Sequence, residues 1–218
     1  MSQFQGRNLS CMRADRPVFA GLDFDLPAGG ALLLTGPNGS GKSSLLRLMA
    51  GLLRPSAGQL TWDGADIEQD PEAHRARLRY LGHLDAVKPV LSLSENLPFA
   101  SGLHGPVAEA ALQNGLAAFA LETLAGLPGR VLSAGQRRRL ALARLAVSPG
   151  TLWLLDEPTV GLDTASQANL ARLMAAHRAQ GGRVAVATHV SLDLPGAVAL
   201  DLAPHAEAAR AAALEHAW

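Results

Sequence analysis

The sequence predicts an α/β fold with a helical lobe. Short apolar runs, "ALLLT", "TLWLLD" and "RVAVATH", have strand length and alternate with helical patterns. From about residue 88 to 149, between the first run and the second, alanine, leucine and scattered glycine dominate and β-branched residues are few. Apolar strands that bracket such an insert imply a sheet core with a lobe of packed helices.

The elements follow in order. "LDFDL" at residues 22–26 alternates apolar with acidic side chains, the period of a half-buried strand, and "PAGG" then turns it into "ALLLT" as a hairpin feeding a buried strand. After "GPNGSGKSS", the run "LLRLMAGLL" has helical spacing and stops near Gly51. "GQLTWDG" reads as a short strand and turn, "EAHRARL" as a polar helix, and "RYLGH" as another short strand. "SLSENLPFASGL", "PVAEAALQNGLAAFAL" and "LSAGQRRRLALARLAV" are helices of the lobe. Strand character returns with "TLWLLDEP", followed by a helix at "TASQANLARLMAAHRAQ", strands at "RVAVATH" and "AVALDLA", and a helical tail, "HAEAARAAALEHAW". The expected organisation is one domain, with a core of about 1–83 and 150–218 and a helical lobe of about 84–149.

Composition narrows the function. Lysine plus arginine equals aspartate plus glutamate at 19 each, so no global attraction to nucleic acid or an anionic membrane follows. Aromatics at 4% weaken any case for base stacking. Cys11 is the only cysteine, which excludes an internal disulfide and a multi-cysteine metal site. The polar N-terminus, "MSQFQGRNLSCMRADRP", has no apolar signal region, and no apolar run approaches the roughly 20 residues of a membrane helix. The chain is expected to be soluble, or held at a membrane by a partner.

Residues Gly36, Pro37, Asn38, Gly39, Ser40, Gly41, Lys42 and Ser43 spell G-x-x-x-x-G-K-[ST] between an apolar strand and a helix, with Ser44 following. In that context glycines let backbone amides turn inward, and the amides with the helix N-terminus form an anion site for phosphate. Lys42 would reach the β- and γ-phosphates and the Ser43 hydroxyl would ligate Mg²⁺. "TLWLLDEP" drives four apolar residues into adjacent carboxylates at a strand end. Carboxyl ends of parallel strands share one edge, so Asp156 can sit beside the loop as a metal-holding group, with Glu157 placed to polarise a water.

"LSAGQRRRLALARLAV", residues 132–147, poses a separate question. Ser133 is a good N-cap, yet Arg137, Arg138 and Arg139 crowd cations into a first turn where the helix dipole is already positive. Read alone, the stretch is a solvated helix start, and its arginines support no more than a general stabilisation of an electropositive surface. It resembles the signature motif of ATP-binding cassette (ABC) ATPases, usually LSGGQ, and lies at the usual short interval before "LLDEP". "VGLD", ending at Asp163, resembles the D-loop of that family, and "ATHV" places His189 as its switch histidine. The resemblance spans essentially the whole chain.

It implies the phosphate-loop NTPase fold of ABC type, a mainly parallel core sheet with an antiparallel β subdomain and a helical lobe. It also implies ATP and Mg²⁺ as ligands, and two cassettes that sandwich two ATP molecules. Ser133, Gly135 and Gln136 of one copy would line the γ-phosphate bound to the other, supplying the missing anion. Glu157 would serve as general base, His189 would contact the γ-phosphate, and hydrolysis would reopen the pair.

Three departures stand out. His83, in "YLGH", stands where such cassettes usually carry glutamine. Ala134 replaces a signature glycine, tolerable where φ is negative. The aromatic that usually stacks on adenine would fall near Arg13, leaving the Arg13 guanidinium as a stacking substitute and Phe19 more simply in the core. "YLGH", the arginine-rich signature and a chain that stops soon after the last strand are similar to the ATP-binding subunits of haem exporters in cytochrome c maturation. That likeness implies an integral membrane permease as partner, a peripheral position on the cytoplasmic face of a bacterial inner membrane, and a docking surface at His83 and "LDAVKPVLSLSENL". Haem itself is expected to bind elsewhere, because the seven histidines are scattered and no C-x-x-C-H occurs. The residues leave open another small exporter or a soluble ABC-type assembly ATPase.

Overall fold

The computed structural model describes residues 2–14, 16–101, 107–147, 150–189 and 192–215. The last residues of the helices expected at "SLSENLPFASGL" and at the tail, and Val190 of "ATHV", lie outside them.

Two sheets carry the fold. A four-stranded antiparallel sheet has the order β2-β1-β4-β5, formed by β1 (Gln3–Arg13), β2 (Arg16–Pro27), β4 (Ala57–Trp62) and β5 (Ala65–Asp66). A five-stranded sheet, parallel throughout, has the order β6-β7-β8-β3-β9, from β6 (Leu78–Leu81), β7 (Leu152–Asp156), β8 (Arg183–Ala187), β3 (Ala31–Thr35) and β9 (Val198–Asp201). The helices are α1 (Lys42–Met49), α2 (Pro71–Arg77), α3 (Leu93–Ser101), α4 (Glu109–Ala118), α5 (Ala134–Val147), α6 (Thr164–Ala179) and α7 (Ala203–Glu215). The α/β class, the antiparallel subdomain and the helical lobe are therefore as expected.

Two expectations are corrected. "PAGG" does not close a hairpin: β2 pairs with β1, while β3 enters the other sheet between β8 and β9. The reason lies in burial. β2 alternates buried and exposed positions and suits a sheet covered on one face, whereas β3 is covered on both and belongs at the centre of a parallel sheet. The polar N-terminus, in which no strand was expected, forms the eleven-residue β1. Its Phe4, Leu9 and Cys11 point inward, while interleaved Gln, Arg and Asn mask the alternation.

The parallel sheet separates two cores. Leu32, Leu34, Leu152, Leu154, Ala185 and Ala187 face α1 and the antiparallel sheet. Their neighbours Ala31, Trp153, Leu155, Val184 and Val186 face the helices of the lobe and α6. The alternation follows directly from the period of two along a strand. Each fully buried leucine contributes about 2 kcal/mol, so both layers resist displacement of the strand ends that carry the site.

A buried and a half-buried histidine make stability depend on pH. His74 on α2 is 1% exposed and its Nε2 lies 2.9 Å from the Met49 carbonyl. His177 on α6 stacks on Trp153, ring centroids 3.9 Å apart and planes 4° from parallel. Burial pushes both imidazoles below their ordinary value. A histidine depressed in the folded state takes up its proton more readily when unfolded, where it titrates near about 6.5. Stability is therefore full above that value and declines as pH falls below it. Thermal melts should show a transition near its plateau at pH 7.5 and clearly lower at pH 5.5; a midpoint constant over that range would refute the assignment.

Candidate nucleotide site

β3 delivers the chain at Thr35 to the carboxyl edge of the parallel sheet, and the loop 36–43 then turns it into α1. The turn needs glycine at Gly36 and Gly41, which have φ of +127° and +102°. Any side chain at Gly41 would also collide, since a Cβ would lie 2.7 Å from Phe19 and 2.8 Å from Val18. Phe19 is thus a core residue beneath the loop, 1% exposed. Ser40 N–H bonds the Pro37 carbonyl at 3.2 Å and tightens the loop, while the first-turn amides of α1 lack intrahelical partners and give the helix an electropositive end.

Lys42 Nζ folds over the loop and bonds the Gly36 carbonyl at 2.6 Å and the Pro37 carbonyl at 3.1 Å. The cation is thereby parked above the concavity that its own loop encloses. Ser40 Oγ is 1% exposed and without a partner among the described residues. It lies within the turn, where a Cβ on Gly36 would approach it to 2.8 Å. Asn38 and Gly39 form the tip, and Ser44 lies on the first turn of α1 beside Cys11.

β7 brings the carboxylates. Asp156 is 3% exposed and its Oδ1 accepts a 3.0 Å hydrogen bond from Ser43 Oγ, so the end of β7 meets the start of α1. One residue on, Glu157 leaves the strand with φ +49°, a left-handed conformation that side chains other than glycine rarely adopt. Its amide still bonds the Ala187 carbonyl at 2.8 Å, while the carboxylate turns toward the end of β8. There Oε1 lies 3.0 Å from His189 Nδ1, and Oε2 accepts from His189 N–H at 3.4 Å. Glu157 is mostly buried and His189 mostly exposed. The three strand ends β3, β7 and β8 are adjacent in the sheet, so the loop, the carboxylates and His189 form one edge constellation.

The other residues singled out in the sequence have partners outside it. Ser133 and Gln136 make a reciprocal capping box at the start of α5: Gln136 N–H donates to Ser133 Oγ at 3.2 Å, and Ser133 N–H to Gln136 Oε1 at 2.8 Å. Ala134 is not among the residues with positive φ, as its tolerance required. Gly135 lies against the Gly161 carbonyl. Asp163 caps α6, accepting from Ser166 N–H at 2.7 Å, and that bond holds its carboxyl below the usual range. Among the described residues, no hydrogen bond or ion pair joins Ser133, Gly135, Gln136 or Asp163 to the phosphate loop. His83 is exposed just beyond β6, and Arg13 is exposed at the end of β1.

One of the three arginines, Arg138, is not part of the solvated helix start expected of them. Arg137 Nη1 bonds the Leu132 carbonyl at 2.7 Å and Arg139 Nη1 the Phe119 carbonyl at 3.3 Å. Arg138 is 5% exposed and turns inward onto the carbonyls at the end of β7. Backbone carbonyls supply the partial negative charge that the helix start lacked. A signal for this was present: Arg138 shares a helical stripe with Ala141, Leu142 and Leu145, all buried, so it had to face the core.

The ABC transporter family profile matches residues 19–160. The chain belongs to the ABC transporter ATP-binding family. Among its relatives, the cytochrome c biogenesis ATP-binding export protein CcmA of Paramagnetospirillum magneticum is 57% identical over 92% of this chain and 94% of its own length. The protein of the same name from Rhodospirillum rubrum is 59% identical over 91% of this chain and 85% of its own. A solved ABC transporter ATP-binding protein of Pyrococcus furiosus superposes with a TM-score of 0.82 at 22% identity, covering 94% of this chain and 99% of that one, which speaks to the fold. The cassette is thus an ATP-binding, ATP-hydrolysing subunit. None of its helices, among the described residues, is long and apolar enough to cross a membrane.

Proposed function

We propose that the cassette is the ATPase subunit of the haem exporter of c-type cytochrome biogenesis, a single nucleotide-binding domain working at the cytoplasmic face of the inner membrane through an integral permease. The observation that carries this reading is the 57% and 59% identity, over nine-tenths of the chain, to export proteins of cytochrome c biogenesis.

In this reading the loop 36–43 and Lys42 cradle the β- and γ-phosphates, with Lys42 leaving the Gly36 and Pro37 carbonyls for the phosphate oxygens. Ser43 Oγ and Asp156, 3.0 Å apart, are the hard oxygen donors suited to Mg²⁺, and the buried, unpartnered Ser40 Oγ is consistent with a polar ligand in the cradle. Mg²⁺, when bound, neutralises charge on the phosphates. Glu157 holds the attacking water and takes its proton, while His189, hydrogen-bonded to Glu157, orients the carboxylate and faces the γ-phosphate. Ser133, Gly135, Gln136 and Asp163 complete the pocket of a second copy in an ATP-sandwich dimer. Their hydrogen bonds are local caps of α5 and α6, with none to the loop of their own chain among the described residues, which favours that division of labour.

For the permease, the structure offers a groove of about 660 Å³ between core and lobe, lined by Tyr80, Leu81, Val87, Lys88, Phe99 and Arg144. Exposed Leu84 and Val90, at 80% and 76%, flank it on the segment after His83. Such unburied aliphatics favour a partner surface. Disruption of the gene should abolish haem-stained c-type cytochromes in membranes. A photocrosslinker at Leu84 in the complementing protein should capture an integral membrane protein. Normal c-type cytochromes after disruption would overturn the haem-export assignment.

A further inference from the structure

The turn that follows β7 places three consecutive carbonyls, those of Asp156, Glu157 and Pro158, around one point, and that point is the Arg138 guanidinium. Nη2 donates to the Asp156 carbonyl at 2.9 Å and the Glu157 carbonyl at 2.7 Å, and Nε to the Pro158 carbonyl at 3.4 Å. Nη1 donates to the Gly82 carbonyl at 3.2 Å and to Asp85 Oδ1 at 3.0 Å. A guanidinium has five N–H donors, and all five are taken. Converging carbonyl dipoles repel one another, and Glu157 at φ +49° sits in a conformation that persists only where its surroundings enforce it. The buried cation bonds the carbonyls on both sides of that twist as well as its own.

We infer that Arg138 is a positioning residue of the hydrolytic site: its guanidinium gathers the carbonyls of Asp156, Glu157 and Pro158, holds Glu157 in its left-handed backbone conformation, and ties it to the segment 82–85 beside His83. The carboxylate direction of Glu157 depends on that backbone twist, because the residue before it is locked in β7 and the residue after it is a proline. Arg144, further along the same helix, bonds the Asp85 and Ala86 carbonyls at 2.8 and 2.9 Å, so α5 grips the segment at two points. Displacement of 82–86 by a bound partner would therefore reach Glu157 through a single side chain.

This rests on the reading of Glu157 as general base, and the test separates the two. Arg138→Met keeps the unbranched stem of the side chain and removes every donor; Arg138→Lys keeps the charge and up to three. Steady-state ATP hydrolysis by the full chain should fall at least 30-fold in Arg138→Met and recover partly in Arg138→Lys. In both, KM for ATP should stay within threefold of the parent and nucleotide should bind one per chain, because the phosphate loop is untouched. Turnover within twofold of the parent in Arg138→Met, no advantage of lysine over methionine, or loss of nucleotide stoichiometry in step with turnover would each overturn the inference. If the methionine variant does not fold, Asp85→Asn, which weakens the grip from the rim, should lower turnover several-fold at unchanged KM; parental turnover there would overturn the inference equally. Glu157→Gln is measured alongside. An active Glu157→Gln removes the underlying reading, whereas an inactive Glu157→Gln with an active Arg138→Met removes only the role of Arg138.

Discussion

Replacing Glu157 by glutamine should leave nucleotide binding intact, lower ATP turnover by about 10²-fold or more, and accumulate an ATP-bound dimer. The magnitude is that of a lost general base. Geometry makes the substitution clean: an amide oxygen can still accept from His189, whose Nδ1 lies 3.0 Å from the present carboxylate, and the main-chain bonds of residue 157, to the Ala187 carbonyl and from Arg138, do not involve its side chain. What disappears is the capacity to take a proton from water. Phosphate release and size-exclusion chromatography with ATP and Mg²⁺ measure the two consequences. Turnover within threefold of the parent would remove Glu157 from its role, and an inactive variant that stays monomeric would argue against the ATP sandwich.

Lys42→Ala should act one step earlier, weakening nucleotide affinity by about 10- to 100-fold. A charge-assisted hydrogen bond contributes about 1.5–3 kcal/mol, and 1.4 kcal/mol corresponds to a factor of ten in affinity. The apoprotein should barely notice, since the bonds lost there are those from Nζ to the Gly36 and Pro37 carbonyls. Calorimetric titration with ATP, beside thermal melts of the nucleotide-free protein, distinguishes lost affinity from lost fold. Unchanged affinity would detach Lys42 from the phosphates. On the proposed reading the two substitutions separate binding, on the loop, from hydrolysis, on β7.

Both halves could be read from short motifs because their physics is local. Residues 36–43 need glycine where φ is positive, a lysine beside the turn and a helix start after it, and all three demands fall within eight positions. The carboxylates of "LLDEP" were legible for a related reason, since a run of four apolar residues ahead of Asp156 has the length of a strand buried on both faces, as β7 is. β1 escaped notice because polar side chains stand between its inward residues, and the hairpin expected at "PAGG" failed because a turn read from sequence does not reveal which sheet the next strand joins.

By itself, the order of residues determined the α/β class, a glycine-rich loop between strand and helix, the pair of carboxylates at a strand end and the likeness to ABC cassettes, each a matter of period, spacing or a short run of types. Only the tertiary structure decided that Ser43 meets Asp156 across 113 positions and that Glu157 turns left-handed toward His189. It also decided that Arg138 spends its charge on buried carbonyls rather than on solvent. A hydrogen bond between distant segments depends on which strand ends the sheet makes neighbours, and a backbone twist such as that of Glu157 depends on the contacts that hold it, neither of which is written in any local stretch of the chain.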